Sequence, residues 1–401
     1  MYKYYLKVKK YLNFLCSIKP NRRTGSKGNQ SATTFFKETV KSWGYEIDVT
    51  QFSCLDFENS KVFLSNKGGL YQVYISPYSL GCDIVEEIIP VSSVEELENC
   101  FCANKILLMK RKICKEQLMP KNIVFYNPPH HRYVYQLLEK KNPRAIITAT
   151  SKNPELVGAI YPFPMIEDGD FNIPSVCCTD FVGEEIDKTL PQRFHLVIKS
   201  RRICSFASNV VIRKNVNCKN KIIICAHIDA YGDSPGALDD ASGTIVLLIL
   251  AEMLKETDIL IGIELIAFNG EDNYSAGGEM DYIKRYGDKL DKVLMAINID
   301  DVGYIYGKDS FSFYQCSDNI YKIAKDVFAQ NKDIIQGDHM VFTQQNIPAI
   351  AFTSTKMKEL LMSITHTSND VPMLVDVSKL VGLAYMIKEF ILKIQELNQI
   401  I

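Results

Sequence analysis

The chain has 401 residues, of which 47% are hydrophobic and 23% are charged, values that are ordinary for a soluble globular protein. Its 46 basic and 47 acidic residues give a net charge of −1, so no electrostatic argument favours nucleic acid or an anionic membrane as a partner. No apolar run approaches the roughly 18–20 residues that span a bilayer, and the length predicts two or three folding units.

The first segment, Met1–Pro20, interleaves lysines with Tyr and Leu. A secretory signal would need an uninterrupted apolar core, so this pattern predicts an amphipathic helix instead. Structural zinc clusters typically contain recurring C-x-x-C pairs, and none of the 12 cysteines has this spacing. We therefore expect reduced thiols and a cytoplasmic protein.

The elements predicted next are a polar loop at Asn21–Gln30, a helix at Ser31–Trp43 and a strand at Tyr45–Phe52. From about Val62 to Asp187, short apolar runs are separated by prolines, which indicates a compact inserted domain. We therefore expect one domain formed by residues 1–62 and 191–401, interrupted by a smaller α/β or β-rich domain at residues 63–190. The histidine pair His130–His131, which follows two prolines in this insert, is predicted to lie in a surface loop.

From about Phe194 onward, apolar runs of strand length alternate with segments of helical periodicity. The predicted strands are Ile222–Ala226, Ile261–Phe268, Val293–Ile299 and Pro348–Thr353. The predicted helices are Asp240–Lys255, Ala276–Tyr286, Asn319–Gln330 and Val375–Leu397. This alternation predicts an α/β fold with a sheet covered by helices on both faces.

Polar residues follow three of these strands at the point where each strand ends. They are His227 and Asp229, Glu271 and Asp272, and Asp300 and Asp301. Asp239 and Asp240 lie just before a predicted helix, and His366 lies ahead of the last one. Ligands of open α/β sheets bind at the carboxyl ends of the strands. Carboxylates gathered there repel each other unless a cation is present, so the sequence predicts a metal site.

The order and spacing of these residues resemble the zinc aminopeptidase family that also includes glutamate carboxypeptidase, the transferrin receptor ectodomain and glutaminyl cyclase. The matching motifs are Ala226–Asp229, Gly236–Gly243, Phe268–Asp272, Asn298–Asp300 and His366–Asp370. The early loop Arg23–Ser26 with Gly28–Asn29 resembles the family's N-terminal segment. The resemblance covers about residues 20–62 and 190–400. It implies a mixed, largely parallel sheet sandwiched by helices, and the insert resembles a protease-associated domain in its placement.

Carried over to this sequence, the resemblance implies a site with two Zn²⁺ ions, although Co²⁺ or Mn²⁺ suits the same ligands. The implied ligands are His227, Asp239 and Asp300 for one ion, and Asp239, Asp272 and His366 for the other. Glu271 is implied as the general base, and His339 as a residue that stabilises an oxyanion. Asp229 and Asp370 are implied to orient the metal-binding histidines.

The resemblance implies a metal-dependent exopeptidase that acts on peptide substrates, specifically an aminopeptidase. The residues alone leave open the direction of cleavage (amino- or carboxypeptidase), the side-chain preference and the oligomeric state. One departure is that many family members have Glu-Glu where this chain has Glu271–Asp272, so a site with a single metal ion stays open. The resemblance is also compatible with a glutaminyl cyclase-type acyltransferase and with an inactive binding scaffold. An inactive scaffold would be expected to have lost ligands, and none is lost here.

Overall fold

The computed structural model describes residues 2–152, 157–327 and 337–400. The helices are α1 (Tyr2–Ser17), α2 (Lys27–Val40), α3 (Val94–Asn99), α4 (Pro129–Lys141), α5 (Asp180–Lys188), α6 (Gly243–Lys255), α7 (Gly277–Tyr286), α8 (Asp318–Val327), α9 (His339–Thr343), α10 (Met357–Ser363) and α11 (Val377–Ile400). The strands are β1 (Glu46–Asn66), β2 (Gly69–Tyr71), β3 (Tyr74–Ile75), β4 (Cys82–Val91), β5 (Ile106–Lys110), β6 (Ala145–Thr150), β7 (Ser175–Thr179), β8 (Arg193–Lys214), β9 (Lys221–His227), β10 (Gly262–Phe268), β11 (Val293–Ile299), β12 (Asp309–Tyr314) and β13 (Ala349–Ser354).

The chain divides into two compact units, one formed by Met1–Cys54 with Phe206–Ile401 and the other by Leu55–Ser205. Both boundaries fall inside long strands, β1 and β8. The predicted boundaries, at residues 62/63 and 190/191, follow a change in composition along the sequence. A strand that continues across a boundary leaves no such change at the boundary itself.

The first unit contains a sheet with the strand order β12-β13-β11-β9-β10-β8. The pairs β13–β11, β11–β9 and β9–β10 are parallel, whereas β12–β13 and β10–β8 are antiparallel. This confirms the predicted mixed, largely parallel sheet. The parallel strands are buried along almost their whole length, as expected when helices cover both faces.

Alternate residues of β10 face the two helical layers of this unit. Leu265 packs in the large core shared with α1, α2, α6 and α11. Phe268 points to the opposite face, where its ring contacts Tyr282 of α7 and Phe342 of α9. Helix α6 is apolar around almost its whole circumference and is buried from Gly243 to Leu254, which fits its position between sheet and outer helices.

The second unit has its own sheet, in which β4, β5, β6 and β7 are parallel in that order and β3 is antiparallel to β7. The first part of β8 pairs antiparallel with β4. Two apolar clusters form its core: Leu107, Leu138 and Phe163 belong to one, and Leu108, Ile147 and Phe194 to the other. The unit is thus a small α/β domain.

Two local predictions are wrong. Helix α2 begins at Lys27, inside the predicted loop, because the Ser26 hydroxyl caps it by accepting the backbone N–H of Asn29. His130 and His131 lie in the first turn of α4, which begins with a proline, a residue favoured at this position, and His131 is buried. The last three residues of the predicted helix Asn319–Gln330 lie outside the described residues.

Among the described helices, none combines the length and hydropathy that crossing a bilayer requires. All twelve cysteines lie within the described ranges, and each is a free thiol.

Candidate metal centre

The predicted ligands meet at one edge of the first unit's sheet. His227 is the last residue of β9, and Asp300 directly follows β11. Glu271 and Asp272 lie in the turn after β10. Because β9, β10 and β11 are parallel neighbours, their carboxyl ends bring these side chains together.

Asp239 lies between the two histidines of the site. Its Oδ1 is 3.2 Å from Nε2 of His227, and its Oδ2 is 3.1 Å from Nε2 of His366. One carboxylate therefore offers one oxygen to each imidazole. This is the geometry required of a carboxylate that bridges two cations.

A further carboxylate accompanies each histidine. Asp300 Oδ1 lies 3.7 Å from His227 Nε2, and Asp272 Oδ1 lies 3.2 Å from His366 Nε2. Ligand atoms of His227, Asp239 and Asp272 also lie within 4.8 Å of one another. The structure thus brings together all five predicted ligands in two overlapping groups that share Asp239.

The donor atoms fit a divalent cation. His227 Nε2, Asp272 Oδ2 and Asp300 Oδ1 are buried and make no hydrogen bond with any described residue. Buried polar atoms are normally satisfied, and imidazole with carboxylate is a donor set that suits zinc. Burial alone would lower the pKa of His227, but Asp229, Asp239 and Asp300 outweigh burial and raise that pKa well above its usual range. The cluster therefore stabilises positive charge at this position, as a proton or as a metal ion.

Asp370 fixes the backbone that carries Asp239. Its Oδ1 accepts the N–H of Leu238 at 2.8 Å, and its Oδ2 accepts the N–H of Asp239 at 3.1 Å. The next peptide bond, Asp239–Asp240, is cis. The predicted role of Asp370, to orient His366, is therefore wrong, because both of its oxygens accept N–H groups of the Asp239 segment.

The ring of His366 is held by stacking instead. Tyr231 lies parallel to it, with ring centroids 4.5 Å apart and an interplanar angle of 16°. His366 Nδ1 is buried and has no hydrogen-bond partner among the described residues. Tyr231 therefore sets the plane of this imidazole.

Asp229 links three segments behind His227. Its Oδ1 lies 3.5 Å from His227 Nδ1 and accepts the N–H of Gly270 at 3.0 Å. Its Oδ2 accepts the hydroxyl of Thr24 at 2.6 Å. The carboxylate is fully buried, so it joins the N-terminal segment to the turn that carries Glu271. His227 Nδ1 is buried and makes no hydrogen bond with any described residue, so the orienting role of Asp229 stays a prediction.

Arg22 holds the loop between β9 and Asp239. Its buried guanidinium donates from Nε to the carbonyl of Ile228, from Nη1 to that of Pro235 and from Nη2 to that of Gly236. Gly236 has φ +57°, and a Cβ there would lie 2.8 Å from Arg22 Nη2, so a side chain would collide with this contact.

Glu271 lies next to Asp272 and is half-buried. Burial raises the pKa of its carboxyl well above its usual range, and the negative charges of Asp272 and Asp300 add to this shift. A nearby cation would oppose both effects. His339 lies at the start of α9, with its buried ring 4.4 Å from that of Tyr314. This packing gives His339 a structural role, and its function at an oxyanion stays a prediction.

Several residues at the site were not assigned a role by the sequence analysis. Asp240 offers a ligand atom close to His227 and Asp300, while its Oδ1 accepts the N–H of Gly243 at 2.7 Å. Its position beside Asp239 is the only sequence signal for it. Arg22 and Tyr231 act through backbone carbonyls and ring stacking, which leave no spacing pattern to detect.

A second cluster, formed by Glu116, His130 and His131, lies in the second unit. Glu116 Oε1 is 3.0 Å from His130 Nε2 and 3.4 Å from His131 Nε2. His131 Nδ1 accepts the backbone N–H of Met119 at 3.0 Å, so the proton of the neutral ring resides on Nε2. That nitrogen then has no lone pair for a metal, and the cluster is better explained as a hydrogen-bonded anchor for the start of α4.

Comparisons with known proteins identify related sequences and similar structures. Residues 209–391 match Peptidase family M28. The probable lipoprotein aminopeptidase LpqL of Mycobacterium tuberculosis is 21% identical over 293 residues, which are 70% of this chain and 54% of LpqL. The chain therefore spans about half the length of this curated relative.

Solved structures share the fold. BSAP, a zinc aminopeptidase from Bacillus subtilis, aligns with a TM-score of 0.75 and 18% identity over 97% of this chain and 95% of BSAP. The glutaminyl cyclase of Porphyromonas gingivalis aligns with a TM-score of 0.51 and 12% identity over 97% of this chain and 96% of the cyclase. The likeness is thus greater to the aminopeptidase fold than to the cyclase fold.

Proposed function

We propose that the chain, whose residues 209–391 match Peptidase family M28, is a metal-dependent exopeptidase, and specifically a di-zinc aminopeptidase that removes N-terminal residues from peptides. The observation that carries this proposal is the position of Asp239, with one oxygen toward each of two histidines. LpqL and BSAP, to which the chain is similar, are both described as aminopeptidases.

Two ions would be held by the two overlapping groups of ligands, with Asp239 common to both. His227 and Asp300 complete one group, and His366 and Asp272 complete the other. When bound, such ions lower the pKa of water and polarise a carbonyl group. The proposal includes two ions rather than one because each histidine has its own carboxylate, Asp300 for His227 and Asp272 for His366.

The chain's own side chains would move the proton and hold the geometry. Glu271 lies in the turn after β10 at the same edge, and its carboxylate would accept a proton from water and deliver it to the leaving amine. Asp229 keeps His227 oriented through a buried contact that also fixes the Glu271 turn. Asp370 and Arg22 hold the Asp239 segment, so the ligand between the two histidines is fixed from both sides.

Cleavage of one peptide in two forms tests the activity. Zinc-loaded protein is incubated with a short peptide that has a free N-terminus and with its N-acetylated form, and products are followed by mass spectrometry. We expect stepwise loss of N-terminal residues from the free peptide alone, abolished by a chelator. Glu271→Gln should abolish cleavage while the zinc content stays unchanged. Cleavage of the acetylated form, or cleavage that survives chelation, would contradict the proposal.

Metal analysis tests the number of ions. We expect two zinc ions per chain, with one lost on Asp272→Ala and one lost on Asp300→Ala. Because the two carboxylates serve different histidines, a single ion in the wild type would contradict the di-zinc proposal and favour a one-metal site. An N-terminal Gln peptide included in the assay tests for cyclase activity, since a cyclase would release ammonia from it and cleave no peptide bond.

Cytoplasmic location and a protease-associated character of the second unit remain part of the proposal. The free state of all twelve cysteines supports the first. The position of the second unit, between two parts of the chain that together form the first unit, supports the other.

A further inference from the structure

Asn209 is a fully buried amide that belongs neither to the ligand set nor to the proton transfer. It lies in β8, which pairs antiparallel with β10. The ladder between these strands reaches Val210 and Ala267, so Asn209 lies one residue further, beside the carboxyl end of β10. Residues 269–276, the Glu271 turn, connect this end of β10 with α7. Asn209 is therefore next to the segment that carries part of the metal centre.

The amide of Asn209 binds both ends of the Glu271 turn. Its Oδ1 accepts the backbone N–H of Asn269 at 3.0 Å, and its Nδ2 donates to the carbonyl of Gly278 at 2.8 Å. Asn269 is the first residue after β10, and Gly278 is the second residue of α7. One side chain thus joins the point where the chain leaves the sheet to the point where the next helix begins.

The two ends of the turn also lie close to each other. A Cβ on Gly278 would lie 1.9 Å from the carbonyl oxygen of Asn269 and 2.5 Å from Oδ1 of Asn209, so glycine is required there. An amide suits this closure because it offers an acceptor and a donor side by side. A carboxylate would accept the N–H but repel the carbonyl, and an aliphatic side chain would leave both backbone groups unsatisfied.

The start of the turn is held from another direction by α2. The side chain of Asn269 accepts from Nδ2 of Asn29 and donates to Oγ1 of Thr33 at 3.0 Å. Because these contacts anchor the start of the turn independently, loss of the Asn209 amide should loosen the Gly278 end first.

We propose that Asn209 is a positioning residue for Glu271 and Asp272, because its amide fixes both ends of the turn that carries them. This inference rests on the proposed function, in which Glu271 transfers the proton and Asp272 binds a metal ion. Displacement of a reacting group by about 1 Å can lower a rate by about 100-fold. Release of one end of the turn should therefore slow the reaction while the peptide still binds.

The test compares the zinc-loaded wild type with Asn209→Asp, which retains the shape and the acceptor oxygen and replaces the donor to Gly278 by a second oxygen. The matched control is Asn215→Asp. The Nδ2 of Asn215 donates to the carbonyls of Ile259 and Ile261 at 2.6 and 3.2 Å. These residues precede the start of β10, at the opposite edge of the sheet from the metal centre. Both variants therefore lose the same kind of hydrogen bond, but only one loses it at the Glu271 turn.

We expect Asn209→Asp to lower kcat by about tenfold or more at saturating zinc and to change KM by less than about threefold. Asn215→Asp should keep the kcat of the wild type, although thermal unfolding should show a loss of stability in both variants. A kcat of Asn209→Asp within about twofold of the wild type would overturn the inference. An equal loss of kcat in both variants would also overturn it, because general destabilisation would then be the cause.

Hydrogen exchange of the same zinc-loaded proteins, followed by mass spectrometry, provides a readout that does not require cleavage. We expect the amides of residues 270–278 to exchange about tenfold faster in Asn209→Asp than in the wild type, and at the wild-type rate in Asn215→Asp. Unchanged exchange in Asn209→Asp overturns the inference. If the wild type cleaves no peptide, the proposed function fails, whereas faster local exchange still supports a turn positioned by Asn209. Asn209→Ser serves the same measurements should Asn209→Asp not fold, because a single hydroxyl then replaces the acceptor and the donor.

Discussion

The hydroxyl of Thr24 is expected to control both stability and metal affinity through a single hydrogen bond. It donates to Asp229 Oδ2 at 2.6 Å, and both side chains are buried. Thr24→Val keeps the shape and removes the donor, so no cavity forms. A hydrogen bond to a charged group contributes about 1.5–3 kcal/mol, and we expect a loss of roughly 2 kcal/mol in the free energy of unfolding. Asp229 retains the N–H of Gly270, which keeps the loss from being larger.

The same change should weaken zinc binding. Asp229 lies 3.5 Å from His227 Nδ1, and partners that orient a metal-binding histidine typically contribute about 10- to 100-fold in affinity. Titration against a zinc chelator measures this affinity, and thermal unfolding of metal-free protein measures stability. Thr24→Ser keeps the hydroxyl and should restore both values.

Thr34→Val is the matched control, because Thr34 is exposed on α2 and its hydroxyl donates only to the carbonyl of Gln30. We expect its effect on stability to stay within about 0.5 kcal/mol, and its zinc affinity to equal that of the wild type. If Thr24→Val binds zinc and unfolds like the wild type, this hydrogen bond does not control either property. The same conclusion follows if Thr24→Ser is as impaired as Thr24→Val, because Ser retains the hydroxyl.

Three further changes test other parts of the structure. Gly278→Ala should lower the melting temperature sharply, since a Cβ there would lie 1.9 Å from the carbonyl oxygen of Asn269, a collision that costs about 2 kcal/mol or more. Tyr231→Ala should weaken zinc binding by roughly tenfold, whereas Tyr231→Phe should retain it, because the stacked ring orients the histidine. Glu252→Gln should cost about 1 kcal/mol at pH 7 in urea unfolding, since its partner lysines in α1 are partly exposed. Burial raises the pKa of Glu252, but the lysines outweigh burial and lower it, so this stabilisation exists above the unfolded pKa of about 4.3 and should disappear as the pH falls through the lower folded pKa.

The four parallel strands of the first unit were predictable because they are buried on both faces and therefore appear as continuous apolar runs, whereas β12, α9 and α10 were not predicted. For β9, the predicted and observed bounds differ by one residue at each end, and for β10 they differ by one residue at the start only. The start of α2 was missed because the deciding contact is a single hydroxyl, that of Ser26. The start of α4 was missed because Pro129 is compatible with a loop as well as with a first helical turn.

The candidate ligands of the metal centre were predictable from the sequence, whereas the contacts that hold them were not. Ligand candidates can be read from the sequence because each follows a strand or precedes a helix, and the fold requires them to meet at one edge. The hydrogen-bond partners of Asp370 could not be predicted. Asp370 accepts two backbone N–H groups and does not contact His366, because the path of the chain around Asp239 brings those groups to it. The stacking of Tyr231 on His366 likewise depends on the path of a loop.

The residues that fix the site extend beyond the segment that matches the family. Thr24 and Arg22 lie outside residues 209–391, yet one reaches Asp229 and the other holds the loop leading to Asp239. Ligand identity and ligand geometry are therefore encoded in different parts of the chain. A change in the N-terminal segment can weaken metal binding with every ligand intact. A related chain with all of its metal ligands in place can therefore still bind metal weakly.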